Sequence, residues 1–81
     1  MKKLGVLVTV CNDGYVETSL YETKARAIEM AVGLVEEGCS DDEGEEYVEK
    51  IKADARHDLE GCGAYDDGTV SYHVFERAVN E

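Results

Sequence analysis

Thiol and imidazole side chains are the groups in this sequence that could carry metal or nucleophilic chemistry. They are supplied by Cys11, Cys39, Cys62, His57 and His73. A structural zinc site usually takes its ligands in closely spaced pairs, and here only His57 and Cys62 come near such a spacing. A thiol nucleophile needs a histidine beside it and a third group to orient that histidine, and no local signature marks one. We therefore expect no metal site, no cofactor and no catalytic residue.

Carboxylates are far more numerous, and they concentrate in one stretch. Residues 36–49 hold eight acids and no lysine or arginine, and we call this stretch the acidic turn. Its acids are Glu36, Glu37, Asp41, Asp42, Glu43, Glu45, Glu46 and Glu49. Their spacing lacks the alternation of a helix–loop–helix calcium loop. Capping a helix needs only a few acids, so the surplus indicates a surface that another macromolecule contacts.

The charge balance narrows the choice of partner. The 81 residues carry a formal net charge of -11, with 43% hydrophobic and 33% charged residues. Such a chain is expected to fold as one globular domain over residues 1–81. Its charge argues against direct contact with nucleic acid or anionic membranes and favours basic protein surfaces. A merely solvated surface or a salt-adapted source would give the same excess of acids.

The cysteine count and the N-terminal residues bear on location. Three cysteines are an odd number and too few for a disulfide scaffold. The apolar run that follows Lys2 and Lys3 is too short for a signal peptide or a membrane span. We expect a cytoplasmic protein with reduced thiols, acting in the host cytoplasm if its source is viral.

A β-hairpin is predicted at the start of the chain, because residues 4–10 alternate in the manner of a strand. Its apolar row is Leu4, Val6, Val8 and Val10. Asn12-Asp13-Gly14 indicates a turn, and residues 15–21 form the return strand. A two-residue loop would set the apolar row beside polar residues, whereas a three-residue loop with a left-handed Gly14 matches it with apolar ones. The facing pairs are then Val10–Val16, Val8–Thr18 and Val6–Leu20.

Two helices are predicted next. Thr23 is a suitable N-cap for the first and Gly38 a C-cap, while Gly33 inside it suggests close packing on the sheet. The apolar stripe of this helix is Ala27, Ile28, Ala31, Val32, Leu34 and Val35. The run Ser40–Glu43 has the form of a capping box and would start the second helix, which ends at Gly61. The buried side of the second helix is expected to be Val48, Ile51, Ala55 and Leu59.

The end of the chain is predicted to hold a flexible segment over residues 61–63, a turn at Asp66-Asp67-Gly68 and a last strand over Thr69–Arg77. The inward residues of this strand would be Val70, Tyr72 and Val74. The predicted fold class is α+β with the order ββααβ: a three-stranded antiparallel or mixed sheet with two antiparallel helices packed on one face. The first strand is the natural centre of the sheet, and an order with the second strand in the centre stays open.

The sheet face that the helices leave uncovered is a candidate surface for a partner protein or a second subunit. With the three-residue loop, it would show Leu7, Thr9, Cys11, Tyr15, Ser19 and Tyr21, joined by His73 and Phe75. A homodimer of this chain would form there.

Several features of the layout are considered together. They are the length, the charge, the order of elements around Ser40–Glu49, and the closing turn and strand over Ala64–Glu76. By these features the chain resembles the small acidic anti-CRISPR proteins that phages and other mobile elements encode against bacterial defence. The resemblance covers the whole chain as a layout, and no functional residue is carried over by position. It implies a non-catalytic inhibitor that docks on a nucleic-acid-binding surface of a host complex.

The acidic turn offers a means of such docking. Carboxylates on successive helical turns can be spaced like phosphates, roughly 7 Å apart, and can occupy a lysine- and arginine-lined channel. The residues predicted to make the contact are Asp41, Asp42, Glu43, Glu45, Glu46 and Glu49, with Asp66 and Asp67 if their turn lies nearby. The alternative, also not an enzyme, is a small regulatory or structural module that dimerises or binds a protein through its open sheet face.

Overall fold

One long strand lies at the centre of the architecture in the computed structural model, which describes residues 2–39 and 44–79. The elements are β1 (Lys2–Cys11), β2 (Val16–Tyr21), α1 (Lys24–Glu37), α2 (Glu45–Gly61), β3 (Ala64–Asp66) and β4 (Val70–Val79). The predicted α+β class is confirmed. The order is ββααββ, so the prediction of three strands in the order ββααβ is wrong.

The four strands form an antiparallel sheet in the order β2-β1-β4-β3. As predicted, β1 is central and β4 runs antiparallel to it; β2 lies at an edge, which excludes the order with β2 in the centre. The strand that the sequence reasoning missed is β3, which pairs with residues 71–73 of β4. Three residues are too few to show the alternation by which a strand is recognised.

The hairpin between β1 and β2 has the predicted three-residue loop. Its facing pairs are Val10–Val16, Val8–Thr18 and Val6–Leu20. The Cys11 N–H donates to the Tyr15 carbonyl at 2.8 Å and closes the loop. Gly14 has a φ of 94°, in the left-handed region that favours glycine. The register prediction is therefore confirmed, including the conformation of Gly14.

Helix α1 has the predicted caps. The Thr23 side chain accepts a hydrogen bond from the Arg26 N–H at 3.1 Å, and Gly38 is the C-cap. The buried residues of α1 are Ala27, Ile28, Ala31, Val32 and Val35. The prediction that Gly33 packs closely on the sheet is wrong, since Gly33 is exposed and a Cβ atom there would have no neighbour within 4 Å.

The close approach between helix and sheet occurs at Gly5 instead. A Cβ atom built on Gly5 would collide with the carbonyl group of Thr23 and would lie 2.8 Å from the Cα atom of Lys24. Both neighbours are backbone atoms, which cannot turn aside. A glycine within a strand often marks such an approach, and here it lets the first turn of α1 lie directly on β1.

Helix α2 begins at Glu45 with Gly44 as its N-cap, and it ends at Gly61 as predicted. Gly44 itself provides no side-chain cap hydrogen bond to this helix start. The capping box predicted over Ser40–Glu43 lies outside the described residues. Ala55 and Leu59 are buried on the predicted side of α2, and Val48 and Ile51 are half-buried.

Ion pairs connect the two helices along their length. Lys52 Nζ lies 2.9 Å from Glu36 Oε2, and Arg56 donates two hydrogen bonds to the Glu29 carboxylate at 3.1 and 3.0 Å. Since Lys52 precedes Arg56 whereas Glu36 follows Glu29, the helices run antiparallel, as predicted.

The helices cover the sheet face opposite to the one predicted. Leu7 of β1 joins Tyr72 and Val74 of β4 and the buried residues of both helices in one core. Because successive side chains of a strand point to opposite faces, the apolar row that begins at Leu4 points away from the helices. The prediction that this row forms the helix-covered face is therefore wrong. Gly5 explains the outcome, since the row containing Gly5 and Leu7 is the one that leaves room for α1.

Candidate interaction surface

We call the sheet face that lies opposite the helices the open face. Its residues follow from the strand registers, because directly paired residues of antiparallel strands point to the same side. They are Lys2, Leu4, Val6, Val8 and Val10 of β1, Val16, Thr18 and Leu20 of β2, Ala64 and Asp66 of β3, and Ser71, His73, Phe75, Arg77 and Val79 of β4. Nine of these fifteen residues are Ala, Leu, Val or Phe, so the face is predominantly apolar.

Large apolar side chains are exposed on the open face. Leu20 is 62%, Val16 56% and Phe75 46% exposed. Val6 is paired with Leu20 on one side and Phe75 on the other, and it is only 4% exposed. Single exposed apolar residues are ordinary on soluble proteins. Adjacent ones on a flat sheet are typical of a contact surface.

The apolar surface continues toward the end of the sheet where β1 begins. A shallow groove there is lined by Leu4, Leu20, Arg77, Ala78 and Val79. Leu4 and Leu20 also line the neighbouring depression that reaches Thr23 and Arg26 at the start of α1. The open face is thus not interrupted between β2 and β4.

Acidic residues are rare on the open face. Asp66 is the one acid among its fifteen residues, although the chain contains 19 acids. Its basic residues, Lys2 and Arg77, lie near Leu4 at one end of the sheet. Asp66 of β3 is paired with Ser71 and lies at the border of the face near the opposite end. On a protein of net charge -11, this depletion of acids separates the open face from the rest of the surface.

The predicted acidic contact residues are only partly gathered. Glu45, Glu46 and Glu49 lie exposed on the first turns of α2, where negative charge is favoured by the helix dipole. Lys52 lies 3.6 Å from the Glu49 carboxylate as well as close to Glu36, so it neutralises part of this group. The predicted residues Asp41, Asp42 and Glu43 lie outside the described residues.

Asp66 and Asp67 lie in a separate turn, and both act within it. Asp66 Oδ1 accepts a hydrogen bond from the Gly68 N–H at 2.7 Å. Asp67 Oδ1 accepts from the N–H groups of Thr69 and Val70 at 2.8 and 2.7 Å. These carboxylates shape the reversal between β3 and β4, which confirms the turn predicted at this place and explains both acids without a partner.

The residues that the sequence assigned to the uncovered face divide between three places. His73 and Phe75 lie on the open face, as predicted. Leu7, Thr9, Cys11, Ser19 and Tyr21 instead line a groove of about 270 Å³ beside Met30 and Leu34 of α1. Tyr15 follows the hairpin loop and is 60% exposed. The signal that could have corrected this assignment is Gly5, which marks the row that a helix can approach.

Two tyrosines connect the core to the turn after β3. The rings of Tyr65 and Tyr72 are stacked, with centroids 6.5 Å apart. Burial raises the pKa of each phenol, and the negative charge of Asp67 raises it further. Both hydroxyls therefore stay protonated at neutral pH, as expected of structural tyrosines.

The thiols and histidines do not converge. Cys11, Cys39 and Cys62 form no disulfide, and Cys62 is exposed. The Cys39 thiol donates to the Val35 carbonyl at 3.5 Å. Within residues 2–39 and 44–79, no group of three or more His, Cys, Asp or Glu side chains is arranged to hold a metal ion. The described cysteines and histidines thus offer no assembled ligand set.

Comparison with known proteins identifies no relative of this chain. No protein-family model, no curated protein and no solved structure matches this chain. In the described part of the chain, neither helix has the length and apolar character needed to cross a membrane. The class defined by the fold is therefore a two-layer α+β domain with one uncovered apolar sheet face.

Proposed function

We propose that this protein is a non-catalytic binding protein whose open face is its contact surface for another protein. The observation that carries the proposal is the exposure of Leu20, Val16 and Phe75 on a predominantly apolar sheet face that contains one acid. Of the two functions predicted from the sequence, this proposal corresponds to the small module that binds a protein through its open sheet face. The residues of the surface differ from those predicted, because the helices lie on the other side.

The energetics of the open face support this proposal. Burying one Leu, Val or Phe side chain gains about 1.5–3 kcal/mol relative to full exposure. Leu20 and Phe75 realise only part of that gain within the monomer, since each keeps about half of its surface in water. A partner that covers them would recover the remainder. Thr18 and His73 flank Val8 on the same face and could form hydrogen bonds within the contact.

The decisive experiment compares two lysine variants of equal charge. Leu20→Lys places a charge on the open face, and Tyr47→Lys places the same charge on α2 at a residue of similar exposure, 53% against 62%. Each variant, attached to beads, is compared with the original protein for the proteins it retains from a bacterial lysate. We expect Leu20→Lys to lose them and Tyr47→Lys to keep them. Equal retention of lysate proteins by both variants, together with a lack of self-association by the original protein, would overturn the proposal.

A second candidate is an acidic inhibitor that occupies a basic nucleic-acid-binding surface of a host defence complex in the cytoplasm. It is favoured by Glu45 and Glu46, which are exposed at the start of α2, and for which the described residues provide no ion pair. The anti-CRISPR resemblance points the same way. The surface would act as a nucleic-acid mimic without binding nucleic acid itself.

The acidic candidate has its own test. Reversing Glu45, Glu46 and Glu49 to lysine should abolish binding to a basic partner and leave contacts of the open face intact. Binding of the original protein should also weaken with added salt, because opposite charges are screened. If the triple variant bound with the same affinity and the same salt dependence, the acidic surface would not be the contact.

A further inference from the structure

We infer that the occupant of the open face is a second copy of this chain, packed face to face so that two sheets form the centre of a sandwich. The inference rests on the proposed function, since it takes the open face as the contact surface and names what covers it. The two helical layers would then lie on the outside. A contact of this kind is isologous: the same residues of both copies form it, related by a two-fold axis.

The first argument concerns charge. Two copies of a protein with net charge -11 repel each other, and most orientations would bring acids together. The open face is the surface on which this repulsion is least, because its fifteen residues include one acid, Asp66, beside the two bases Lys2 and Arg77. The scarcity of acids also makes a strongly basic partner a poor match for it. A second open face, predominantly apolar, is the match that the chain itself supplies.

The second argument concerns the alignment of the two copies. Arg77 lies beside Leu4 near one end of the sheet, and Asp66 lies in line with Val10 near the other. If the second sheet runs in the reversed direction, the Arg77 end of each copy lies over the Asp66 end of the other. Symmetry then gives two opposite-charge contacts at the border of an apolar centre. This charge pattern favours the reversed alignment over one that would bring Arg77 near Arg77.

The third argument concerns size. The strands comprise 10, 6, 3 and 10 residues; with about 3.3 Å per residue and about 4.8 Å between strands, the sheet covers roughly 450 Å² in projection. Two copies contribute about twice this area, and interdigitated side chains add more. Stable complexes bury about 1,200–2,000 Å² in total. The dimer interface, about 900 Å² before interdigitation, is therefore below this range and belongs with weak complexes, so we expect a dissociation constant in the micromolar range.

The test is sedimentation equilibrium of the purified chain at increasing concentration. We expect the apparent mass to rise from the chain mass of 8.9 kDa toward twice that value. Added salt should strengthen the dimer, because it screens the repulsion between the copies. A protein that stays monomeric into the millimolar range at high salt would overturn the inference.

The same two lysine variants identify the surface. Leu20→Lys lowers the net negative charge and so reduces repulsion, yet it should raise the dissociation constant about 30-fold or more, because a lysine replaces a buried leucine. Tyr47→Lys makes the same charge change on α2 and should leave the dimer unchanged or slightly tighter. Phe75→Lys is a second open-face variant, and circular dichroism confirms that each variant folds. Equal dissociation constants for all three variants would overturn the inference.

Two further outcomes separate the claims. Arg77→Glu should weaken the dimer about tenfold, and a tighter dimer would refute the reversed alignment. If the protein is monomeric while Leu20→Lys still loses its lysate partners, the inference of a dimer is wrong and the proposed function stands. If the protein is monomeric and Leu20→Lys retains the same partners as Tyr47→Lys, both the dimer and the proposed function are wrong.

Discussion

Replacing Gly5 with alanine should destabilise this fold more than the small size of the added methyl group suggests. The added methyl group would collide with the carbonyl group of Thr23 and approach Lys24 Cα to 2.8 Å, so β1 and the start of α1 must move apart. Overpacking of this kind costs about 1–3 kcal/mol, and we expect the upper end because both neighbours are backbone. The total stability of 81 residues is only about 4–12 kcal/mol.

Thermal unfolding followed by circular dichroism measures this effect. At about 4–8 °C per kcal/mol for a domain of this size, Gly5→Ala should lower the Tm by about 10–25 °C. Gly33→Ala is the matched control, since its added methyl group has no neighbour within 4 Å. There the gain in helix propensity of about 1 kcal/mol should raise the Tm by a few degrees.

The two glycine variants thus carry the same chemical change and opposite expected signs. If Gly5→Ala left the Tm unchanged, α1 would not lie on β1 as described, and the assignment of the open face would lose its main support. A fall in Tm for Gly33→Ala would likewise contradict the exposure of that position.

Three further predictions follow from the described contacts. Thr23→Ala should cost about 1 kcal/mol, measured by urea unfolding, because the Arg26 N–H loses its acceptor. Hydrogen bonds from Arg56 lower the pKa of Glu29 below its ordinary value of 4.5, so Glu29→Gln should lower the Tm slightly at neutral pH and not at all once the pH falls below the lowered pKa. Burial raises the pKa of Tyr72 above 10.0. The stability that the protonated Tyr72 phenol contributes is complete below pH 10 and is lost as the pH rises through the raised pKa. The Tm of Tyr72→Phe should therefore fall less at alkaline pH than the Tm of the original protein.

The hairpin could be predicted from the sequence in detail. A one-residue slip would have placed Val8 opposite Ser19 instead of Thr18, and every side chain of β2 would have changed faces. Local pairing therefore contained enough information to select the loop. The same holds for the Thr23 cap and for most of the buried side of both helices, where the 3.6-residue period identifies one side. Leu34, predicted in the stripe of α1, is instead 38% exposed.

The covered face of the sheet could not be predicted in the same way. The apolar row from Leu4 to Val10 looks like a core, but a strand has two faces, and its pattern does not say which one a helix will approach. That choice depends on Gly5 and on the contribution of Tyr72 and Val74, which come from the far end of the chain. The short strand β3 was missed for a related reason, since its pairing with β4 is a tertiary contact.

The candidate contact residues could likewise be predicted from the sequence only in part. Asp66 and Asp67 were predicted as contact residues because they are acids in a turn, yet their hydrogen bonds to the turn backbone account for them. A count of acids cannot distinguish a carboxylate that holds its own backbone from one that meets a partner. The exposed apolar residues of β2 and β4 were harder to identify, because their meaning depends on the side to which the helices pack.

The position of β2 at the border of the sheet has a consequence for solubility. The outer edge of this strand presents backbone amide and carbonyl groups that no strand within the described residues satisfies, and such an edge can recruit strands from other molecules into ribbons. Mutual repulsion between highly charged molecules opposes this growth at neutral pH. Near the isoelectric point of about 4.4 the net charge and its repulsion vanish. Acidification should therefore cause the protein to precipitate through association of its edge strands.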